Sequence, residues 1–373
     1  MVNGAKLIIH IPYFRPMRYY LAIFTFVILG CQNKPQQTTS TGPAEIIRPE
    51  YAKGFEIHHF ADKTSIILFD LQNIGDTLEI IEIPKTPTRK IACLSTTHLS
   101  YLDKLNALET VQGVAFGHLV RNQNAQTALA NNKMLDLSDA DDVSMELLLS
   151  IKPEWFTVYP YGHDGYEKYT SKGIKCLPIS EYLESHPLGR AEWIKVFGEL
   201  CGKSTEANAV FTSIKNEYNK TQNLVATTPN LERPCVFTGS QEAGTWYAPP
   251  ANSFVGTWIN DAGAQYVLAD STSNGNLKIP FETLYDLIFN CDYWGRVEYD
   301  AAPLTYTKIK TEDPRMSKVK AFTQNKIFYC NTSTSDYFGD AVIEPEIILK
   351  DLVKIFHPEI PLEHQGKYFI SIK

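Results

Sequence analysis

The chain has 373 residues, of which 44% are hydrophobic and 21% are charged. This composition is typical of a globular protein rather than a disordered one, and the length allows two lobes of ordinary size. The formal net charge of −7 provides no electrostatic footprint for nucleic acid, so we expect no nucleic-acid partner.

Residues 1–30 are predicted to be a signal peptide. The apolar run at 21–30 is too short to span a bilayer and fits the h-region of such a peptide. Gly30 followed by Cys31 resembles a bacterial lipobox, although Leu29 is bulkier than the usual residue there. We therefore expect a mature protein that begins at Cys31, carries lipid on it, and stays extracytoplasmic on the periplasmic side of a membrane.

Some features of this N-terminus stay open. A start at Met17 rather than Met1 would give a shorter n-region, and a membrane-anchor helix is an alternative reading of the apolar run. The sequence does not indicate which membrane carries the anchor.

Residues 31–50 are polar and contain several prolines, so they are predicted to form a lipid-anchored linker. Residues 51–85 then alternate in short strand-like pieces with turn residues between them, which predicts an antiparallel ribbon. The predicted strands are 55–60, 65–70 and 78–83.

Farther along the chain, short buried strands alternate with helices, a pattern typical of parallel sheets covered by helices. In the first half, the predicted strands are 91–95, 111–115, 155–159 and 173–178, and the predicted helices are 99–108 and 145–151. In the second half, the predicted strands are 234–238, 291–294 and 326–330, and the predicted helices are 252–262, 280–289 and 346–356.

A long helical stretch separates these halves. Between residues 189 and 223, apolar side chains recur at spacings of three and four, which predicts an amphipathic helix with a break near 202–204. The predicted fold class is α/β, with two α/β lobes of mainly parallel sheets joined by one long connecting helix. The predicted domains are an N-terminal lobe at 51–188, a connecting helix at 189–230 and a C-terminal lobe at 231–373.

Seven cysteines are present, and no two form a C-x-x-C pair, which excludes zinc-ribbon and thioredoxin-like sites. Apart from Cys31, most are expected to be buried small hydrophobic residues. One disulfide is compatible with an oxidising compartment, but the sequence does not indicate its pair.

The order and spacing of several stretches resemble one family. These stretches are 91–98 with 108–114, 144–154, 181–193, 244–247 and 261–263. Together they are similar to class III substrate-binding proteins of ABC importers, the group for iron–siderophore complexes, haem and cobalamin. The resemblance covers about residues 86–358 and implies the two-lobed fold described above.

The resemblance implies a protein without enzyme activity and without a cofactor or resident metal of its own. It would capture an iron–siderophore complex, or alternatively cobalamin or haem, and pass it to an ABC permease with its ATPase subunits. In this family one glutamate per lobe docks onto the permease, which corresponds here to Glu146 and Glu282, with Asp286 as an alternative to Glu282. Each glutamate lies near a helix N-terminus, where the helix dipole favours an anion, so each alone is also explained as an ordinary first-turn glutamate.

Ligands of open α/β sheets bind at the carboxyl ends of the parallel strands, and the loops expected there are rich in aromatic residues. Planar rings suit a corrin, porphyrin or catecholate, and Arg296 matches the anionic groups of such ligands. The predicted ligand contacts are Thr97, His98, Tyr159, Tyr161, Trp246, Tyr247, Trp294, Arg296 and Tyr337.

Two other classes of function stay open. A zinc or manganese binding protein needs several histidines and a carboxylate that converge, and His98 and His163 lie in suitable predicted loops. A periplasmic hydrolase is compatible with an α/β fold, but the sequence contains neither a G-x-S-x-G nor an H-E-x-x-H motif.

Overall fold

Four antiparallel strands open the described part of the chain. The structure is a computed structural model that describes residues 42–73, 75–161 and 165–372. The strands, paired in chain order, are β1 (Glu45–Ile47), β2 (Phe55–His59), β3 (Lys63–Phe69) and β4 (Thr77–Pro84). The predicted ribbon is confirmed, and β1 lies within the stretch predicted to be linker.

Alternation of apolar and polar residues determines which face of this sheet is buried. In β4, Ile81 and Ile83 are buried, whereas Glu82 between them is exposed. Such a period of two is what a half-buried strand requires. The buried face joins the main hydrophobic core, where the ring of Phe55 packs edge-on against Trp193 at 5.0 Å between centroids.

The strands of the N-terminal lobe that follow are β5 (Ile91–Cys93), β6 (Val111–Val114), β7 (Leu135–Asp136), β8 (Ser138–Asp139), β9 (Asp142–Val143), β10 (Trp155–Val158) and β11 (Cys176–Pro178). Five of them form a parallel sheet in the order β11–β10–β5–β6–β7. The helices are α1 (Thr96–Lys104), α2 (Gln123–Ala130), α3 (Met145–Ile151) and α4 (Glu167–Thr170). Both β5 and β10 are buried along their whole length, as expected for central strands of a sheet covered on both faces.

Three successive helices lead from this lobe to the next. They are α5 (Pro187–Glu192), α6 (Ile194–Cys201) and α7 (Ser204–Thr227), of which α7 is 24 residues long. Gly202 ends α6 in the left-handed conformation with a φ of 65°, a common way to terminate a helix. The chain therefore breaks at the predicted place, between Cys201 and Ser204.

The C-terminal lobe contains a sheet in the order β15–β12–β17–β18–β19, parallel except for β19, and an antiparallel sheet in the order β13–β14–β16. Its strands are β12 (Cys235–Thr238), β13 (Ser240–Glu242), β14 (Thr245–Ala248), β15 (Gln265–Tyr266), β16 (Leu277–Pro280), β17 (Tyr293–Glu298), β18 (Ile327–Asn331) and β19 (Ile370–Ser371). Its helices are α8 (Phe254–Asp261), α9 (Phe281–Ile288), α10 (Tyr306–Glu312), α11 (Lys320–Thr323) and α12 (Pro345–Phe356). Two lobes of mainly parallel sheet joined by a long helix are the predicted fold.

One disulfide links Cys235, at the start of β12, to Cys291, just before β17. These two strands are neighbours in the sheet, which explains how residues 56 apart in sequence come together. The thiols of Cys93, Cys176, Cys201 and Cys330 are free and buried. Over the described ranges, no helix combines the length and apolarity needed to cross a bilayer.

Candidate ligand-binding site

A cavity of about 850 Å³ lies where three parts of the chain meet. These parts are the antiparallel sheet β1–β4, called the N-terminal sheet below, the segment before α5, and several stretches of the C-terminal lobe. Residues 238–240 at the carboxyl end of β12 and residues 295–297 in the carboxyl half of β17 line it, and this end of the strands is where open α/β sheets bind ligands. Aromatic side chains make up much of the wall. They include Phe69, Tyr182, Tyr247, Phe254, Tyr337 and Phe338.

Strand β14 presents alternate faces to the cavity and to the core. Tyr247 lines the cavity, whereas Trp246 is buried in the second hydrophobic core. Successive side chains of a strand point to opposite faces, so both residues of this predicted pair cannot contact one ligand from the same wall.

The two predicted tryptophans lie behind the cavity wall. Trp246 donates its indole N–H to the carbonyl of Thr238 at 2.9 Å, and Trp294 donates to the carbonyl of Gly239 at 3.0 Å. Thr238 and Gly239 themselves line the cavity. Each buried indole therefore satisfies its donor while holding the backbone of the wall in place.

Arg296 lines the cavity at the end of β17, but acidic side chains engage its guanidinium. Nε contacts Glu298 at 2.5 Å, and Nη1 contacts Glu312 at 2.9 Å. The guanidinium also lies 5.0 Å from the centroid of the Trp294 ring. The positive charge predicted to meet anionic ligand groups is thus largely neutralised within the protein.

None of the four contacts predicted from the N-terminal lobe lines the cavity, which corrects their predicted placement in the wall of the cleft. Thr97 and His98 belong to the first turn of α1 and are buried. His98 contacts Thr157 through Nδ1 at 2.7 Å, and burial lowers its pKa to about 3, so the ring is neutral. Tyr159 donates to Ser95 at 2.5 Å.

These residues form a buried polar network at the end of β5. Thr97 donates to Glu181 at 2.9 Å and contacts the Ser95 hydroxyl at 2.9 Å. Glu181 is fully buried, and burial raises its pKa. Thr97 and Tyr159 therefore lie close together, but their side chains form this network and are not part of the cavity wall.

Tyr161, which follows β10, does not line the cavity itself but donates a hydrogen bond to a residue that does. Its hydroxyl donates to Asp70 at 2.6 Å, and Asp70 lines the cavity. Asp70 lies in the turn that follows β3 of the antiparallel sheet β1–β4. Sequence analysis did not include this turn in the site, because only the tertiary pairing brings it there.

Tyr337 lines the cavity and packs edge-on against Phe369, which also belongs to the wall, at 5.7 Å between ring centroids. Phe369 comes from the C-terminal segment just before β19. Sequence analysis did not predict this segment as part of the site, and aromatic content so near a chain end was the only signal for it.

The predicted docking glutamates are both on the surface. Glu146 is exposed in the first turn of α3. Glu282 is in the first turn of α9, with 79% of its side chain exposed, and lies 3.4 Å from Arg315. Cys31 and His163 lie outside the described residues. Among those described, no three His, Cys, Asp or Glu side chains are arranged to hold a metal ion.

Known proteins resemble this chain in sequence and in fold. A family model described as periplasmic binding protein matches residues 91–334. An uncharacterized lipoprotein of Methanocaldococcus jannaschii is 26% identical over 311 residues, which cover 80% of this chain and 72% of the relative.

Two solved structures share the fold at low sequence identity. A periplasmic heme binding protein from Pseudomonas aeruginosa has a TM-score of 0.61 and 14% identity, covering 77% of this chain and 98% of its own. The siderophore binding protein BauB, solved with two molecules of acinetobactin and ferric iron, has a TM-score of 0.59 and 16% identity, covering 76% and 98%. Because the family match spans most of the chain, the protein belongs to the periplasmic binding protein family and has its class III fold.

Proposed function

We propose that this protein captures an iron–siderophore complex, or a related chelate such as cobalamin or haem, and delivers it to an ABC permease without chemical change. The observation that carries the proposal is the aromatic-walled cavity of about 850 Å³ in a member of this family. A cavity of that size suits a bulky small molecule. The binding partners named for the two structural neighbours, haem and a ferric siderophore, support a metal chelate as cargo.

Docking on the permease is proposed to use the exposed faces of α3 and α9. Near Glu146 in α3, the side chains of Leu147 and Leu149 are exposed, and those of Leu287 and Phe289 are exposed at the C-terminal end of α9, which begins near Glu282. Exposed apolar side chains on the same helices as these carboxylates suit a protein interface, where charge provides orientation and apolar area provides affinity. Arg315 would have to leave Glu282, which costs little because exposed ion pairs are weak.

Lipid on Cys31 is proposed to hold the protein near its permease. The linker that follows would let the binding unit turn towards its partner while the tether raises their effective concentration. Cells supplied with a labelled fatty acid should incorporate the label into the parent protein and not into the variant Cys31→Ser. Equal labelling of the two proteins would contradict lipidation at this residue.

The ligand is tested by thermal unfolding of a soluble form that begins at residue 32, since residues 42–373 form one compact unit that it contains whole. The additions are ferric siderophores, haemin, cyanocobalamin and divalent metals. A true ligand at a hundredfold excess over its dissociation constant should stabilise the protein by about 2.7 kcal/mol. A shift with free zinc and with no chelate would refute the proposal.

Docking is tested with the double variant Glu146→Ala/Glu282→Ala. We expect unchanged ligand affinity and lost uptake in cells, since both carboxylates lie outside the cavity. The matched control is Glu167→Ala/Glu206→Ala, which removes two other exposed first-turn glutamates. Equal loss of uptake in both double variants, or loss of ligand binding in the first, would contradict the assignment.

A further inference from the structure

The turn after β3 brings a carboxylate to the cavity from outside the family-matching region. Phe69, Asp70 and Leu71 line the cavity, yet they belong to the N-terminal sheet and precede residue 91, where the family match begins. This part of the wall therefore comes from outside the region that the family model matches.

Hydrogen bonds hold Asp70 in its ionised form. Its Oδ1 accepts the Tyr161 hydroxyl at 2.6 Å and the backbone N–H of Gln72 at 2.7 Å, and its Oδ2 accepts the side-chain amide of Asn73 at 2.8 Å. The bond from Tyr161 is the largest of the causes that lower the pKa of Asp70 to about 2. The cavity wall thus carries a fixed negative charge at neutral pH.

Two cations, Arg296 and Lys53, line the wall together with this carboxylate. Arg296 is engaged by Glu298 and Glu312. Lys53 has an exposed side chain and is the one cation of the wall that has no carboxylate partner among the described residues. Glu184, which also lines the cavity, is buried and accepts the backbone N–H groups of Lys53 and Gly54.

We infer that the cavity selects a chelate that is neutral or positively charged, such as a ferric tris-hydroxamate or a corrinoid, over a polyanionic one. The inference rests on the proposed function and narrows its cargo. Binding a polyanion would bring several negative charges towards Asp70, with only the single exposed ammonium of Lys53 to compensate them. Apolar and aromatic side chains cover most of the remaining wall, which favours a ligand with little net charge.

The test uses probes that share a core and differ in charge. The ferric complex of desferrioxamine B carries one positive charge, its N-acetyl derivative is neutral, and its N-succinyl derivative carries one negative charge. Aquacobalamin, cyanocobalamin and a monocarboxylic acid of cyanocobalamin form the equivalent corrinoid series. Haemin and a ferric tris-catecholate represent anionic chelates. Dissociation constants are measured by calorimetry on the soluble form that begins at residue 32.

Within at least one series, we expect the neutral and cationic members to bind more tightly than the anionic member. Asp70→Asn should weaken binding of the cationic member by about tenfold and leave the neutral member nearly unchanged, because one carboxylate charge is removed at close range. Asp76→Asn is the matched control, since Asp76 is exposed in the same turn and does not line the cavity. Thermal unfolding of each variant confirms that the fold is retained.

Tighter binding of the anionic member in both series, binding of haemin or the tris-catecholate alone, or equal effects of Asp70→Asn and Asp76→Asn would overturn the inference. Binding of no probe at all would overturn the proposed function, and the inference with it. The two failures are therefore distinguishable.

Discussion

Gly239 ends β12 where the strand becomes part of the cavity wall. Its φ is 101°, a conformation that residues with a Cβ rarely adopt. A Cβ here would lie 2.1 Å from the carbonyl oxygen of Tyr247 and 2.8 Å from Nε1 of Trp246. Glycine therefore leaves room for the backbone of Tyr247 and for the indole of Trp246, which donates its N–H to Thr238.

Gly239→Ala should lower the free energy of unfolding by about 3 kcal/mol, because it adds a steric clash to an unfavourable φ. Gly244→Ala is the matched control. Gly244 also has a positive φ, of 81°, but a Cβ there would meet no atom within 4 Å. We expect the control to cost about 1 kcal/mol, from strain alone. Urea unfolding measures both, and equal losses would contradict the argument.

Among elements, the C-terminal segment depends on one buried carboxylate. Asp351 of α12 accepts the backbone N–H groups of Lys367, Tyr368 and Phe369 at 3.1, 2.7 and 2.9 Å. Its side chain is only 1% exposed, so the bonds are made away from water. They fix the segment that carries Phe369 into the cavity wall.

Asp351→Ala should leave these amides without acceptors and lower the free energy of unfolding by about 3 kcal/mol. Ligand affinity should fall as well, because the Phe369 side of the wall loses its anchor. Asp351→Asn keeps one acceptor oxygen, and we expect it to lie between the parent and the alanine variant. Hydrogen exchange of the amides at 367–369 measures directly whether their hydrogen bonds to Asp351 are lost. Unchanged protection of these amides in Asp351→Ala would contradict the argument that Asp351 holds this segment.

The sequence predicted elements well where apolar runs are long. The parallel strands β5, β10, β12 and β18 are buried on both faces, so each reads as a continuous apolar stretch. Strand β13 (Ser240–Glu242) and helix α10 (Tyr306–Glu312) were missed because their residues are mostly polar and their position depends on tertiary pairing.

The residues that line the cavity could be predicted from the sequence only in part. Tyr337 follows from the rule that loops after parallel strands form the cleft, whereas Tyr247 and Arg296 line the cavity from within strands β14 and β17. The rule does not say which side of the backbone a side chain takes, and Trp246 and His98 are buried instead. Neither does it include a wall supplied by a separate N-terminal sheet.

At the scale of the whole molecule, hydrogen bonds join the two lobes near the cavity. Asn122 of the first lobe donates to Asp340 of the second at 3.0 Å, and Thr96 donates to the carbonyl of Phe338 at 3.1 Å. The loop at 336–340 that receives these bonds also carries Tyr337 and Phe338 of the cavity wall. Contact between the lobes is therefore coupled to the shape of the site.

Asp336, in the same loop, makes the stability of the folded protein dependent on pH. Burial, followed by the nearby carboxylate of Asp340, raises its pKa from 3.8 to about 6, while Arg121 and Lys367 act in the opposite direction. Between these two values the folded protein holds a proton that the unfolded chain releases. The contribution of Asp336 to the free energy of unfolding therefore falls as pH rises through this window.

Asp336→Asn removes this titration while keeping an acceptor for the backbone N–H of Asp340, which Asp336 binds at 3.1 Å. From pH 4 to pH 7, the free energy of unfolding of the variant should rise relative to the parent by up to about 3 kcal/mol. Comparing the two proteins at each pH cancels the titration of other groups, such as His98, whose lowered pKa acts with the opposite sign. Denaturant unfolding across this range gives the difference, and a value independent of pH would show that Asp336 does not titrate between the lobes as argued.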